Sequence, residues 1–260
     1  MYIKTGEGLG REGASKLSFA TAWINNFETC KQKPLDHCDD VANGFGKMME
    51  VGGHTWAIKL KEKEPNPANW IDSSRGGKDA APGRGVDTVD FAIIVSHGGL
   101  WPPRAAKQPH RVSVGFNQTP CRFFSDQTRF GDGKLKWLIL DSCHSLEIDK
   151  KKGITPWGIW SGAFDGLHTM FGFTDVVSDS WWTEDRGSWF AFLIGGGDAE
   201  LADTWIETAY SWKEDDYPVA ATAGRDAKDA DNRLETEKLS SSFDSIPNKE
   251  VKVIKWMWRS

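Results

Sequence analysis

The chain has 260 residues, 39% hydrophobic and 27% charged, with a net charge of −5 and a pI near 5.7. Length and composition suit one globular domain spanning 1–260, and no apolar run of about 18 residues is present to cross a bilayer. The acidic balance excludes a general nucleic-acid surface, which needs a concentrated basic field.

The opening stretch "MYIKTGEGLGREGASKLSF" lacks the apolar centre of an export signal, so a cytoplasmic location is expected. Four cysteines, Cys30, Cys38, Cys121 and Cys143, are too few and too irregularly spaced for a disulfide framework, and free thiols are expected. The 14 tryptophans read as large core and rim fillers ahead of stacking platforms for sugars or bases.

In chain order, "LSFATAWI" (17–24) predicts the first strand. Segment 36–50, "DHCDDVANGFGKMME", predicts a helix with Asp36 as N-cap and Val41, Phe45 and Met48 or Met49 on one face. "HTWAIKL" (54–60) is the second strand, and 61–86, rich in Pro, Gly and charge, is a long loop. "VDFAIIVS" (89–96) is the third strand. An irregular region, 99–133, follows and contains the hairpin-like "RVSVGFNQTPCRFFS". "KLKWLILDS" (134–142) and "TMFGFTDVV" (169–177) are the fourth and fifth strands, with helices at 157–168 and 198–212 and late strands at "PVAATAG" and "EVKVIKWMW". Strands alternating with helices imply βαβ units and a mainly parallel sheet. "FAIIV" and "WLIL" lack polar alternation, so they belong at its centre, covered on both faces.

The third strand runs into "VSHGG" and the fourth into "LDSC", which places His97 and Cys143 just past two carboxyl edges, where open α/β sheets bind ligands. A free thiol is mostly protonated at neutral pH, so a nucleophilic cysteine needs a neighbouring base or cation, and His97 can supply either. Gly98, with no side chain, lets its backbone N–H approach a substrate carbonyl; together with the Cys143 N–H it can form an oxyanion hole.

"SHGG" (96–99) and "DSCHS" (141–145) resemble the histidine and cysteine motifs of caspase-type cysteine peptidases, nearest the metacaspase branch. The resemblance implies a caspase-like three-layer sandwich, a mainly parallel central sheet with helices on both faces. It further implies a peptide or protein substrate, a thioester on Cys143, and His97 protonating the leaving amine and then activating water. The matching Asp141 is implied to line a pocket for a substrate Arg or Lys, and Asp175, Asp179 and Trp181 could add to that pocket. Metacaspases draw a further acid from just after the first strand, where this chain offers Asn25, Asn26 and Glu28. The chain also departs in carrying Ser96 where they place a glycine before the histidine, and Leu146 and Glu147 where a glycine follows their cysteine motif. The segment "WGIWSGAFDGLHTMFGFTDVVSDSWW" is more similar to less characterised, tryptophan-rich caspase-like proteins.

Two alternatives keep the same fold: an amine that resolves the acyl-enzyme, giving a ligase, cyclase or acyltransferase, or an inactive scaffold that binds a partner. An esterase is excluded by the lack of a Gly-x-Ser-x-Gly elbow. Cys30, His37 and Cys38 lack the second half of a zinc site. The acidic segment 224–237, with Asp226, Asp229 and Asp231, lacks the rhythm of a calcium loop and reads as a solvated charge run ahead of a calcium site of the kind that some metacaspases carry; no other metal or cofactor is expected. His144 and His168 read as structural.

Overall fold

The computed structural model describes residues 16–211 and 213–259; the N-terminal stretch weighed for an export signal lies largely outside them. In chain order its elements are β1 (Ser18–Trp23), α1 (Cys38–Val51), β2 (Thr55–Lys61), β3 (Phe91–Val95), β4 (Gly98–Trp101), β5 (Arg111–Gly115), β6 (Arg122–Phe124) and β7 (Trp137–Asp141). Then follow α2 (Pro156–Trp160), β8 (Thr169–Thr174), α3 (Arg186–Ile194), α4 (Leu201–Ala209), β9 (Tyr217–Gly224), α5 (Ala227–Thr236) and β10 (Val253–Trp258).

Seven strands form one sheet in the order β2-β1-β3-β7-β8-β9-β10. From β2 to β8 every neighbour is parallel, and β9 and β10 close the edge antiparallel. Strands β3 and β7 are buried at every residue, as their unbroken apolar sequence requires.

The sheet is covered on both sides, unequally. On one face Phe91, Ile93, Trp137, Ile139 and Phe171 meet α1, α3 and α4 through Phe45, Phe190 and Trp205. Phe91 is fully buried there within 5.2 to 6.3 Å of four aromatic rings, so its truncation to alanine costs about 3–5 kcal/mol. On the other face Ala92, Ile94, Leu138 and Leu140 pack with the short α2, the turns around Phe130 and Phe164, and a small antiparallel sheet β4-β5-β6.

Several expected boundaries shift for local reasons. The fifth strand stops at Thr174 because Asp175 takes a left-handed backbone, φ 78°. The helix expected over 157–168 ends at Trp160, and the following "SGAFDG" makes turns that require Gly166 at φ 108°. His37, not Asp36, is the N-cap of α1, with no side-chain cap. The acidic segment 224–237 is largely α5: Asp226 caps it by accepting from the Asp229 N–H, Asp229 pairs with Arg233 at 2.9 Å, and Asp231 pairs with Lys255 at 3.1 Å. Those carboxylates are already satisfied by a cation or an amide, which removes them as calcium ligands.

The expectation of four free thiols is corrected. Cys30 and Cys121, 91 residues apart, are joined by a disulfide, because the turn after β1 packs against the loop between β5 and β6; Cys38 and Cys143 are free. Disulfides persist in oxidising compartments, so cysteine usage no longer argues for a reducing one. No helix among the described residues is long and apolar enough to cross a membrane.

Candidate active site

The parallel register pairs Val95 with Asp141 at the carboxyl ends of β3 and β7. His97 and Cys143 each stand two residues beyond that pair, so matched strand ends deliver imidazole and thiol to the same edge. Both line one narrow cleft, together with Leu35, Cys38, Asp141, Ser178, Asp179 and Arg186.

The His97 backbone is pinned from two sides: the Ser96 N–H donates to the Asp141 carbonyl at 3.1 Å, and the His97 carbonyl accepts from the Gly115 N–H at 2.8 Å. Its ring packs 4.6 Å from that of Phe27, and Nε2 lies 2.8 Å from the Lys33 carbonyl oxygen. A carbonyl only accepts, so Nε2 carries a hydrogen and Nδ1 is left as the nitrogen that takes or gives a proton. The Cys30–Cys121 disulfide lies within the same turn that supplies Phe27 and Lys33.

Cys143 opens a tight turn held by the His144 N–H on the Asp175 carbonyl (2.7 Å), the Leu146 N–H on the Phe173 carbonyl (2.9 Å), and the Phe173 N–H on the Ser145 hydroxyl (2.9 Å). His144 adopts φ 58°, a left-handed backbone that costs a non-glycine residue about 1–3 kcal/mol and is tolerated where the surroundings over-determine it. Its ring leaves the cleft to pair with Glu147 at 2.7 Å. Leu146 is fully buried and Glu147 holds the His144 ring, so both residues anchor the turn. His168 is likewise internal, paired with Glu237 at 2.5 Å.

Burial pushes the Cys143 thiol above its ordinary range, against the backbone N–H groups of Val177, Gly98 and Cys143 itself, which favour the thiolate. The sulfur also sits 3.8 Å from the Val177 carbonyl. The resting thiol is therefore neutral. Gly98 has no alternative residue here: a Cβ would lie 2.1 Å from the Cys143 carbonyl oxygen and 2.7 Å from its nitrogen.

The expected pocket for a basic substrate residue is rearranged. Asp141 is 1% exposed, and both its oxygens are held by Arg186, from Nε and Nη2 at 2.7 Å each. Its carboxylate is thus satisfied within the chain, which corrects its assignment as a direct partner for substrate. Asp179 does line the cleft, but it accepts the backbone N–H groups of Asp36 and His37. Asp175 and Trp181 do not line it: Asp175 shapes the turn after β8, and Trp181 stacks on Trp182 at 3.6 Å, 60% exposed. Of the residues offered after the first strand, Asn25 donates to Asp39, and Asn26 and Glu28 lie outside the cleft.

Sequence reasoning missed Arg186, Lys33 and Val177. Arg186 ties Asp141 to the Ser178 carbonyl (3.2 Å) and to Asp216 (3.5 Å), so it sets the segment that faces the thiol. Its one signal was a lone cation opening the apolar run "RGSWFAFLI". Lys33 and Val177 act through backbone atoms and leave no mark in residue type.

Residues 21–260 match the family model described as Domain of unknown function (DUF6345). The chain belongs to this family. No curated protein sequence matches it. Among solved structures, the DUF6345 chain is similar to protein GSU0716 from Geobacter sulfurreducens at 10% identity and TM-score 0.49, covering 89% of this chain and 100% of that one. It is also similar to caspase-1 from Spodoptera frugiperda at 11% identity and TM-score 0.41, covering 92% of this chain and 90% of that one. Both scores fall below 0.5, so the α/β assignment stands on the sheet order and register described above.

Proposed function

We propose that the protein is a cysteine peptidase of the caspase-like type, cleaving peptide bonds by acyl transfer through Cys143. The observation that most supports this is the pairing of Val95 with Asp141, which carries His97 and Cys143 into one cleft beside the Gly98 N–H. His97 Nδ1 takes the thiol proton as sulfur attacks the substrate carbonyl. The resulting oxyanion faces the N–H groups of Gly98 and Cys143. The C–N bond then breaks as His97 returns the proton to the departing amine. Water, deprotonated by the same nitrogen, hydrolyses the thioester and frees Cys143. Because the thiol is neutral at rest, His97 acts as general base on substrate arrival and not as the standing partner of a thiolate.

Substrate preference remains on the basic side, through the field of the pocket. Two carboxylates that line the cleft, Asp141 and Asp179, with the fully buried Asp216 behind Arg186, stand against that one guanidinium. A peptide or protein, and not a nucleic acid, fits this balance.

A binding scaffold is the second reading, favoured by the half-buried neutral thiol hydrogen-bonded to the Val177 carbonyl. Incubating the purified chain with a diverse peptide library and reading products by mass spectrometry separates the possibilities. New hydrolysed termini after Arg or Lys, lost in Cys143→Ala and His97→Ala, are the expected result. New amide bonds would instead make it a transferase, and an unchanged library would leave the scaffold.

A further inference from the structure

We propose that Asp79, Asp87 and Asp132 form a binding site for a hard divalent cation of the Ca²⁺ or Mg²⁺ class, clamping together the loops that lead into β3 and β7. The inference rests on geometry away from the catalytic cleft and is independent of the proposed peptidase activity.

One carboxylate oxygen from each of the three residues lies within 4.8 Å of the others. Asp79 is 1% exposed and Asp87 2%, while Asp132 is at the surface. The Asp79 carboxylate is only half satisfied: Oδ1 accepts the N–H groups of Ser73 (3.0 Å) and Ala80 (2.9 Å), and the buried Oδ2 has no partner among the described residues. Asp87 accepts from the backbone N–H groups of Gly131 (3.0 and 3.1 Å) and Leu135 (3.0 Å). Among the described residues no lysine or arginine forms an ion pair with any of the three. Three carboxylates, two of them buried, thus converge without a counter-charge, an arrangement that is costly unless a proton or a cation intervenes.

Burial, reinforced by Asp132, pushes Asp79 up to about 6 and Asp87 up to about 8.

The donors are all oxygen, with no imidazole or thiolate, which selects hard cations over zinc or copper. Ca²⁺ binds oxygen at about 2.3–2.6 Å, so opposite ligands stand about 4.6–5.2 Å apart, and a set confined within 4.8 Å can close on one ion. The exposed side at Asp132 leaves room for the waters that both ions retain. The loops are tightly built around the cluster: Gly131 has φ 92°, and a Cβ there would lie 2.0 Å from the Leu167 nitrogen.

Asp87 precedes β3 by four residues and Asp132 precedes β7 by five. His97 and Cys143 lie beyond the other ends of these five-residue strands, each of which spans about 17 Å. The cation would therefore fix the spacing of the two catalytic strands at their amino ends without touching substrate.

The test uses the full chain, stripped with EDTA and exchanged into metal-free buffer at pH 7.5. CaCl₂ and MgCl₂ are titrated separately by calorimetry, and Tm is followed by differential scanning fluorimetry. We expect saturable binding at one site per chain for at least one ion, with Tm raised by about 5 °C or more at a concentration 100-fold above Kd. Asp132→Asn, at the exposed end of the cluster, should fold as well as wild type in EDTA, bind at least tenfold more weakly and lose the Tm increment. Asp79→Asn should do the same.

Absence of binding by both ions at 5 mM overturns the proposal, as does undiminished binding in both variants. So does a stability in EDTA that falls between pH 5 and pH 8 and is not restored by either ion, because that pattern marks a shared proton in place of a metal.

Discussion

Arg186→Met would strand the two buried carboxylates that the guanidinium pairs with, Asp141 and Asp216. Asp141 is 1% exposed and loses both of its 2.7 Å partners; Asp216 is fully buried and loses a contact at 3.5 Å. Removing one member of a buried ion network costs about 3–5 kcal/mol, a large part of the ~5–15 kcal/mol that stabilises a folded chain. For a chain of this size that is a fall in Tm of about 6–20 °C. The loss must also depend on pH. Burial already pushes Asp216 up to about 6 against the pull of Arg186, and without the guanidinium it rises further. A carboxyl whose folded pKa is raised favours the fold below its unfolded pKa, and that contribution is lost as pH rises through the folded value. The deficit of Arg186→Met relative to wild type should therefore be smallest at pH 5 and largest at pH 8. Adding Asp216→Asn should recover part of it. Urea unfolding followed by tryptophan fluorescence at pH 5, 6.5 and 8 measures this directly. A loss under about 1 kcal/mol, or one equal at all three pH values, would refute the view that Arg186 is the counter-charge holding the cleft floor.

Burial of Cys143 predicts slow alkylation by iodoacetamide at pH 7, with the rate climbing through the alkaline range beyond that of an exposed thiol; rapid modification at neutral pH would contradict the neutral resting state. Reducing the Cys30–Cys121 bridge, or replacing both residues by serine, frees a 91-residue separation and should cost about 4–5 kcal/mol by chain entropy; it should also lower kcat by loosening the turn that presents Lys33 and Phe27 to His97. Equal kcat and equal urea midpoints with and without the bridge would sink that link. Gly98→Ala should abolish turnover while far-ultraviolet circular dichroism stays native, since the added Cβ collides with the Cys143 backbone; activity above a tenth of wild type would mean the backbone yields there at little cost.

The central strands were legible because "FAIIV" and "WLIL" are continuous apolar runs, and only a position covered on both faces explains such a pattern. The same runs located His97 and Cys143, each at a strand's carboxyl end. By contrast α3 escaped notice because Trp189, Phe192 and Leu193 are large apolar residues that face solvent, which erases the helical stripe. The helix α5 was hidden for the opposite reason: its buried positions are Ala230, Leu234 and a paired Arg233, so it reads as charge. The partner of Asp141 lies 45 residues away on α3, and that of Cys30 lies 91 residues away, and no local pattern announces either. The Asp79–Asp87–Asp132 cluster joins two loops that look like ordinary polar connections in sequence.

The claim that Cys143 is a nucleophile served by His97 is tested most directly with peptidyl chloromethyl ketones bearing Arg, Lys, Asp or Leu next to the electrophile, followed by peptide mapping of the labelled protein. The account predicts one adduct per chain, on Cys143, fastest with the Arg or Lys probe and slowed at least a hundredfold in His97→Ala. Labelling that falls on Cys38, or that proceeds on Cys143 equally fast without His97, would contradict it.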